Sequence, residues 1–257
     1  MEEIELGLPL EYQQMPEYFD AHNVLDDTQD KNALLLQLLK QHKICTVLDM
    51  TCGTGSQVFY LNKQGYNVTG SDFSPALLDI ARKKAASSNL DIKFIDGDMR
   101  SLNIGKFDAI ITMFNAIGHV SKPDFETTLN NINGNLNRGG IYVFDIFNLA
   151  AMSDLMVENL AMETTKTAQG DKIHNVQHSE INREKGLLTS FDQYTIQKAN
   201  AEVQKLNHSF TLQIYTAQQI QDMLSQNGFE IVCQCAMDGT EFVEQATESI
   251  LTIARKL

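Results

Sequence analysis

The chain has 257 residues, 43% of them apolar, which is enough for one sizeable core with an insertion, and no repeat or low-complexity tract divides it. Twenty basic residues against thirty-three acidic ones leave a formal charge of −13, a field that repels a phosphate backbone and argues against DNA or RNA as a partner. The N-terminus, Met1-Glu-Glu-Ile-Glu5, is acidic rather than basic and then apolar, and no apolar run approaches the ~20 residues that span a bilayer, so a cytoplasmic protein with no membrane attachment is expected.

In chain order, Ile44 to Leu48 is a short β-branched run that reads as a buried strand. Val47-Leu-Asp-Met-Thr-Cys-Gly-Thr-Gly55 then turns this run into a glycine-bearing loop that opens a helix. Val58, Phe59 and Leu61 supply its apolar face and Gly65 closes it. A second strand, Tyr66 to Ser71, ends at Asp72, which lies 19 residues after Gly53. At about that separation a strand-end acid meets the ribose hydroxyls of a nucleotide-like cofactor. Ser74 reads as a helix cap with Pro75 at the first helical position, and the helix runs to about Ala86. Ile92 to Met99 is a third strand carrying Asp98 near its end. Phe107 to Asn115 is a fourth, running into Ala116-Ile-Gly-His119. Phe125, Leu129, Ile132 and Leu136 share one face of a helix that Gly139 and Gly140 end, and Ile141 to Asp145 is a fifth strand.

Residues 149–215 contain alternating stretches, Ile173 to Ile181, Leu187 to Ile196 and Leu206 to Tyr215, with turns at Gly170 and Gly186. They read as inserted antiparallel strands. Long insertions of this kind are functional or disordered, and the strand periodicity favours a lid over a structural insert without substrate contact. Thr216-Ala-Gln-Gln219 forms a capping box for a helix through Leu224 that stops at Gly228, and Phe229 to Cys235 and Ile250 to Ala254 complete the sheet. The alternation predicts an α/β fold: a three-layer Rossmann-like sandwich with a mostly parallel seven-stranded sheet and an inserted antiparallel β lid. Four segments are expected: 1–43 (N-terminal, helical), 44–148 (first part of the core), 149–215 (lid) and 216–257 (second part of the core). Ligands bind at the carboxyl ends of the strands in such sheets, where Asp49, Asp72, Asp98 and Asn115 all sit.

No metal site is expected. The four cysteines have no zinc spacing, and His174 and His178 would stand ~13 Å apart on a strand. A dinucleotide site wants G-x-G-x-x-G, but the third position here is Val58, which weakens a nicotinamide reading.

The stretch Asp49-Met-Thr-Cys-Gly-Thr-Gly55 resembles the first motif, D-x-G-x-G-x-G, of the class I methyltransferases that use S-adenosylmethionine (SAM), with Thr51 in place of the first glycine. The resemblance extends over 44–148 and 216–257 and implies SAM as cofactor. It places Asp49 against the methionine ammonium, with the Thr51 and Phe114 carbonyls as further acceptors. Asp72 would hold the ribose, Phe73 and Met99 would sandwich the adenine, and Asp98 would accept from its amino group. The amides around Gly53 and Gly55, at a helix N-terminus, suit the methionine carboxylate. Phe114-Asn-Ala-Ile117 lacks the proline-rich turn of enzymes that methylate nucleic-acid amino groups.

Asn115-Ala-Ile-Gly-His119 is similar to the Asn-Ser-Phe-Ala-His stretch of glycine N-methyltransferases, which borders the acceptor. Asn115 and His119 are therefore the catalytic candidates, His119 as acceptor contact or general base, with a structural role as the alternative. Those enzymes carry Asp-His-Arg-Asn where this chain has Asp145-Ile-Phe-Asn148, so Phe147 stands where an arginine would hold a carboxylate. The expected acceptor is a small soluble molecule, methylated on an amine or hydroxyl, with an apolar or aromatic portion against Phe147 and Phe114 and with Tyr215 or Tyr18 as a polar contact. A non-catalytic SAM-binding protein and a nicotinamide oxidoreductase remain as alternatives, and self-association is left open.

Overall fold

The computed structural model describes residues 6–24, 27–198 and 201–257; the acidic stretch 1–5 lies outside them. The N-terminal segment is a strap of short 3-10 turns, Leu10–Tyr12 and Pro16–Tyr18, followed by helices α1 (Phe19–Asn23) and α2 (Thr28–Lys40). Then come β1 (Thr46–Asp49), α3 (Ser56–Lys63), β2 (Asn67–Asp72), α4 (Pro75–Ser87), β3 (Lys93–Asp96), β4 (Phe107–Thr112), α5 (Lys122–Asn135) and β5 (Leu136–Phe147). After α6 (Asp154–Asn159) the chain enters an antiparallel sheet of β6 (Met162–Ala168), β7 (Asp171–Asn182), β8 (Leu187–Gln197) and β9 (Gln204–Gln213). It returns through α7 (Ala217–Gln226), β10 (Phe229–Ala236) and β11 (Ser249–Lys256).

The large sheet has the order β10-β11-β5-β4-β1-β2-β3. The five strands from β5 to β3 are parallel, while β11 inserts antiparallel between β5 and β10. Successive side chains alternate between two buried layers, as strands covered on both faces require. Ile110, Tyr142 and Phe144 meet Phe125, Leu129 and Ile132 of α5 on one side. Ala109, Ile111 and Val143 meet Leu35, Leu39 and Leu61 of α2 and α3 on the other. The strand order reverses between β1 and β4, and a crevice at such a switch point is where open α/β sheets bind ligands.

The predicted caps form. Ser74 accepts from the Leu77 amide with Pro75 behind it, and Thr216 and Gln219 close a capping box. Other boundaries moved. Gly139 and Gly140 do not end a helix; α5 stops at Asn135, and β5 is one 12-residue strand that begins at Leu136, paired with Phe107. Conversely β4 stops at Thr112 because Phe114 and Asn115 are left-handed, with φ of 62° and 60°. β6 had no alternating signal: it is an edge strand exposed on both faces, and its charged Glu163 and Lys166 suit an edge. Among the described residues no helix is long and apolar enough to cross a membrane.

Candidate active site

The loops at the carboxyl ends of the parallel strands, together with the strap, enclose a cavity of about 340 Å³. This lies within the roughly 300–1,000 Å³ of small-molecule sites. Thr51, Gly53, Asp72, Phe73, Asp98, Met99, Phe114 and His119 line it, so eight predicted residues from four strand ends meet in one place.

The loop after β1 puts its left-handed residues on glycines: φ is 52° at Gly53 and 94° at Gly55. A Cβ on Gly55 would stand 2.7 Å from the Phe59 ring, and one on Gly53 3.2 Å from the Phe19 ring, so neither position accepts a side chain without displacement. Thr51 is not among the residues with positive φ and sits in the loop without that penalty.

Asp49 is buried; its Oδ1 accepts from the Thr51 amide at 3.2 Å, while its Oδ2 has no partner. Burial, with the charge of Asp72 adding, pushes its carboxyl up to about 8. The Thr51 hydroxyl is unpartnered as well. Thr51 lines the cavity, whereas Asp49 does not; an orphaned buried oxygen is a cost that a ligand bearing N–H donors and positive charge would remove.

Asp72 accepts from the Gly53 and Ser74 amides, each at 2.8 Å, and burial raises its pKa. Two of a carboxylate's roughly four lone-pair sites remain for ribose hydroxyls. The Gly53 amide is thereby committed, and the Gly55 amide donates to the Cys52 carbonyl, so these two do not wait for an anion as the sequence implied. Asp98 also has an unforeseen partner. Both its oxygens accept from Arg100, down to 2.6 Å, which lowers its pKa, and Arg100 reaches Asp124 at 3.4 Å. An adenine amino group would compete with that guanidinium. Phe73 is half-exposed at the rim, and Met99 is half-buried against the core.

Asn115 does not line the cavity; its carboxamide accepts from the Phe147 amide at 3.0 Å. The turn it begins delivers His119, whose ring meets Tyr12 edge-on at 5.3 Å and Phe210 at 6.2 Å. Burial drives the His119 pKa down to about 4 against the pull of the Gly7 carbonyl, and Nδ1 is unpartnered. The ring is neutral at pH 7 and serves better as a hydrogen-bonding anchor than as a base matched to that pH.

Phe147, Tyr18 and Tyr215 do not reach the cavity. Phe147 packs with Leu188 and Ile214 at the antiparallel sheet, no described residue of which lines the cavity; Tyr215 is in the core against Phe125. Tyr18 is buried and donates to Asp171 at 2.7 Å, tying the strap to β7. The N-terminal strap instead contributes Leu6, Leu8, Tyr12 and Phe19 to the cavity lining. Their short, aperiodic segment carried no signal, whereas Arg100, two residues after Asp98, could have been read as its partner.

Residues 47–140 match the family described as methyltransferase domain. Human glycine N-methyltransferase is 30% identical over 135 residues, which are 46% of this chain and 46% of that protein. Demethylmenaquinone methyltransferase of Thermus thermophilus is 35% identical over 98 residues, 37% of this chain and 43% of that protein. The match thus spans less than half the length of these curated relatives. Among solved structures, an S-adenosylmethionine-dependent methyltransferase from Clostridium acetobutylicum superposes with a TM-score of 0.78 at 18% identity, covering 93% of this chain and 96% of that one. Residues 47–140 are thus similar to a methyltransferase domain, and the chain shares the Rossmann-like fold of that SAM-dependent methyltransferase.

Proposed function

We propose that the chain binds SAM at the Asp49–Asp72 end of the cavity and transfers its methyl group to a small soluble molecule held between His119 and the strap. The observation that carries this is the pair of orphaned buried oxygens, Asp49 Oδ2 and Thr51 Oγ1, beside an acid with free acceptor positions at the end of the next strand. An amino-acid ammonium and a ribose diol answer those two needs. SAM supplies an electrophilic methyl group on a sulfonium; the chain contributes position, and holding two reactants at near-attack distance is worth roughly 7–11 kcal/mol.

The acceptor carries an amine or hydroxyl on an apolar or aromatic frame. Leu6, Leu8, Tyr12 and Phe19 offer that frame an apolar wall. Among the described lining residues the cation is Arg100, already engaged by Asp98 and Asp124, so an anionic acceptor finds no free counter-charge. Glycine, the acceptor named for the human relative, is expected to be a poor substrate for this reason, and not because Phe147 touches it. His119, neutral and with a free Nδ1, is placed to hold the acceptor's N–H or O–H.

SAM or S-adenosylhomocysteine, its demethylated product, should raise the melting temperature by roughly 5–10 °C at a hundredfold excess over Kd, where binding adds about 2.7 kcal/mol. NAD should not. Equal shifts with NAD, or none with SAM, refute the cofactor. Labelled SAM assayed against glycine, sarcosine and a panel of amphipathic amines and phenols identifies the acceptor, and efficient turnover of glycine refutes the counter-charge argument.

A further inference from the structure

We infer that Asp145, at the carboxyl end of β5, is a positioning residue for the methyl-donor site: its carboxylate clamps the left-handed pair Phe114–Asn115, and that pair sets the wall of the cavity and the turn to His119. This rests on the proposal that the cavity binds SAM.

Two consecutive non-glycine residues with positive φ are costly, the more so when one is a bulky aromatic, and such strain persists only where the surroundings over-determine it. Here they do. Asp145 Oδ1 accepts from the Phe114 amide at 2.5 Å and Oδ2 from the Asn115 amide at 2.9 Å, so one carboxylate spans both strained residues. The Asn115 carboxamide oxygen accepts from the Phe147 amide, two residues further along β5, and pins the turn at a third point. The Asn115 carbonyl accepts from the Gly118 amide at 2.9 Å, and a Cβ on Gly118 would stand 2.8 Å from Asn115 Nδ2, so the path to His119 is moulded on the clamped residue. Phe114 itself lines the cavity.

The clamp works only as an anion. A carboxylate accepts from both amides, whereas a protonated carboxyl keeps one carbonyl oxygen and turns the other into a donor that needs an acceptor of its own. Asp145 is buried, which pushes its carboxyl up to about 6 against the Phe114 and Asn115 amides and the positive charge of Lys31 on α2. The Tyr142 hydroxyl, on β5 itself, also feels its charge. Because the folded-state pKa lies above the unfolded value near 4, proton uptake by Asp145 stabilises the fold as pH falls from about 6 toward 4. Donor affinity moves the other way over the same range. A purely structural carboxyl would not separate the two.

The test measures S-adenosylhomocysteine affinity by calorimetry from pH 5 to pH 8, with the melting temperature at each pH, for the full wild-type chain and Asp145→Asn. Wild-type affinity should fall about tenfold per pH unit between 8 and 6, as Asp49 takes up its proton, and about a hundredfold per unit below 6, where Asp145 adds its own. The variant should bind about tenfold more weakly at pH 7, one lost charge-assisted bond, and show no inflection near 6. An inflection near 8 from Asp49 should persist in both. Asp145→Asn with wild-type affinity and a wild-type inflection overturns the inference. If the variant does not fold, a wild-type profile whose slope does not change across pH 6 does so alone. A wild type that binds no S-adenosylhomocysteine at any pH instead refutes the proposed function.

Discussion

The two ends of the cavity are built differently. The proposed donor end is anchored in one stretch of chain, Asp49 to Asp72, in which a strand, a glycine loop, a helix and a second strand supply an orphaned carboxylate and a second acid, with Phe114 added from the end of β4. The proposed acceptor end brings Tyr12 and His119 together, with Phe210 packed behind His119, from three segments remote in sequence. The strap that supplies Tyr12 is bonded to the core at Thr54–Asp20 and to the antiparallel sheet at Tyr194–Glu11 and His208–Leu8. An anchor made by local sequence is fixed once its own unit folds, whereas an end made by docked segments depends throughout on the contacts that seat them.

The contrast breaks most sharply at Asp72. Replacing it by alanine removes the acceptor for the Gly53 and Ser74 amides and, on the proposed function, two contacts to the ribose. Two hydrogen bonds to a carboxylate, at about 1.5–3 kcal/mol each, amount to at least a hundredfold in S-adenosylhomocysteine affinity. Affinity within about threefold of wild type would reduce Asp72 to a turn former.

The same contrast explains what the sequence made legible. The sheet, its switch point and the acids at its strand ends follow from apolar runs of strand length punctuated by Gly55, Gly65 and the Ser74-Pro75 cap, signals carried within a few residues of the element they define. His119 was reachable because it lies just beyond a strand end. Tyr18, Tyr215 and Phe147 were placed at the acceptor by their position in the chain, yet position does not say which way an aromatic ring turns. Tyr215 and Phe147 had apolar clusters to join, and the Tyr18 hydroxyl had Asp171. Asp145 was visible as a letter of a motif, but its role depends on the backbone conformation of residues thirty positions earlier.

The docked end yields to a change that touches no ligand. Tyr194 on β8 donates to Glu11 Oε1 at 2.6 Å, and Glu11 is buried with His22 as its other neighbour, 4.0 Å away. Tyr194→Phe leaves that carboxylate buried without its hydrogen bond, a loss of about 1.5–3 kcal/mol, or roughly 3–12 °C in melting temperature for a chain of this length. S-adenosylhomocysteine affinity should fall far less than in the Asp72 variant, because the donor end keeps its own bonds. A melting temperature unchanged within about 1 °C would show that the strap is seated elsewhere.

The smallest effect is expected at Thr51, and there the sign decides. The family motif has glycine at this place. If threonine strained the loop, Thr51→Gly would relieve it and tighten binding. In this structure the left-handed positions fall on Gly53 and Gly55, Thr51 carries no positive φ, and its hydroxyl is buried without a partner in the cavity lining. Glycine would then gain nothing in conformation. It would add backbone entropy to the unfolded chain, about 0.5–1 kcal/mol of lost stability. It would also remove one neutral hydrogen-bonding group from the ligand, about 0.5–1.5 kcal/mol, or roughly two- to tenfold in S-adenosylhomocysteine affinity. Calorimetry on Thr51→Gly and Thr51→Ser separates the two contributions: serine keeps the hydroxyl and should bind nearly as the wild type does. Tighter binding by the glycine variant would mean that the threonine is a strained substitute after all, and that the donor end also carries a cost of its own.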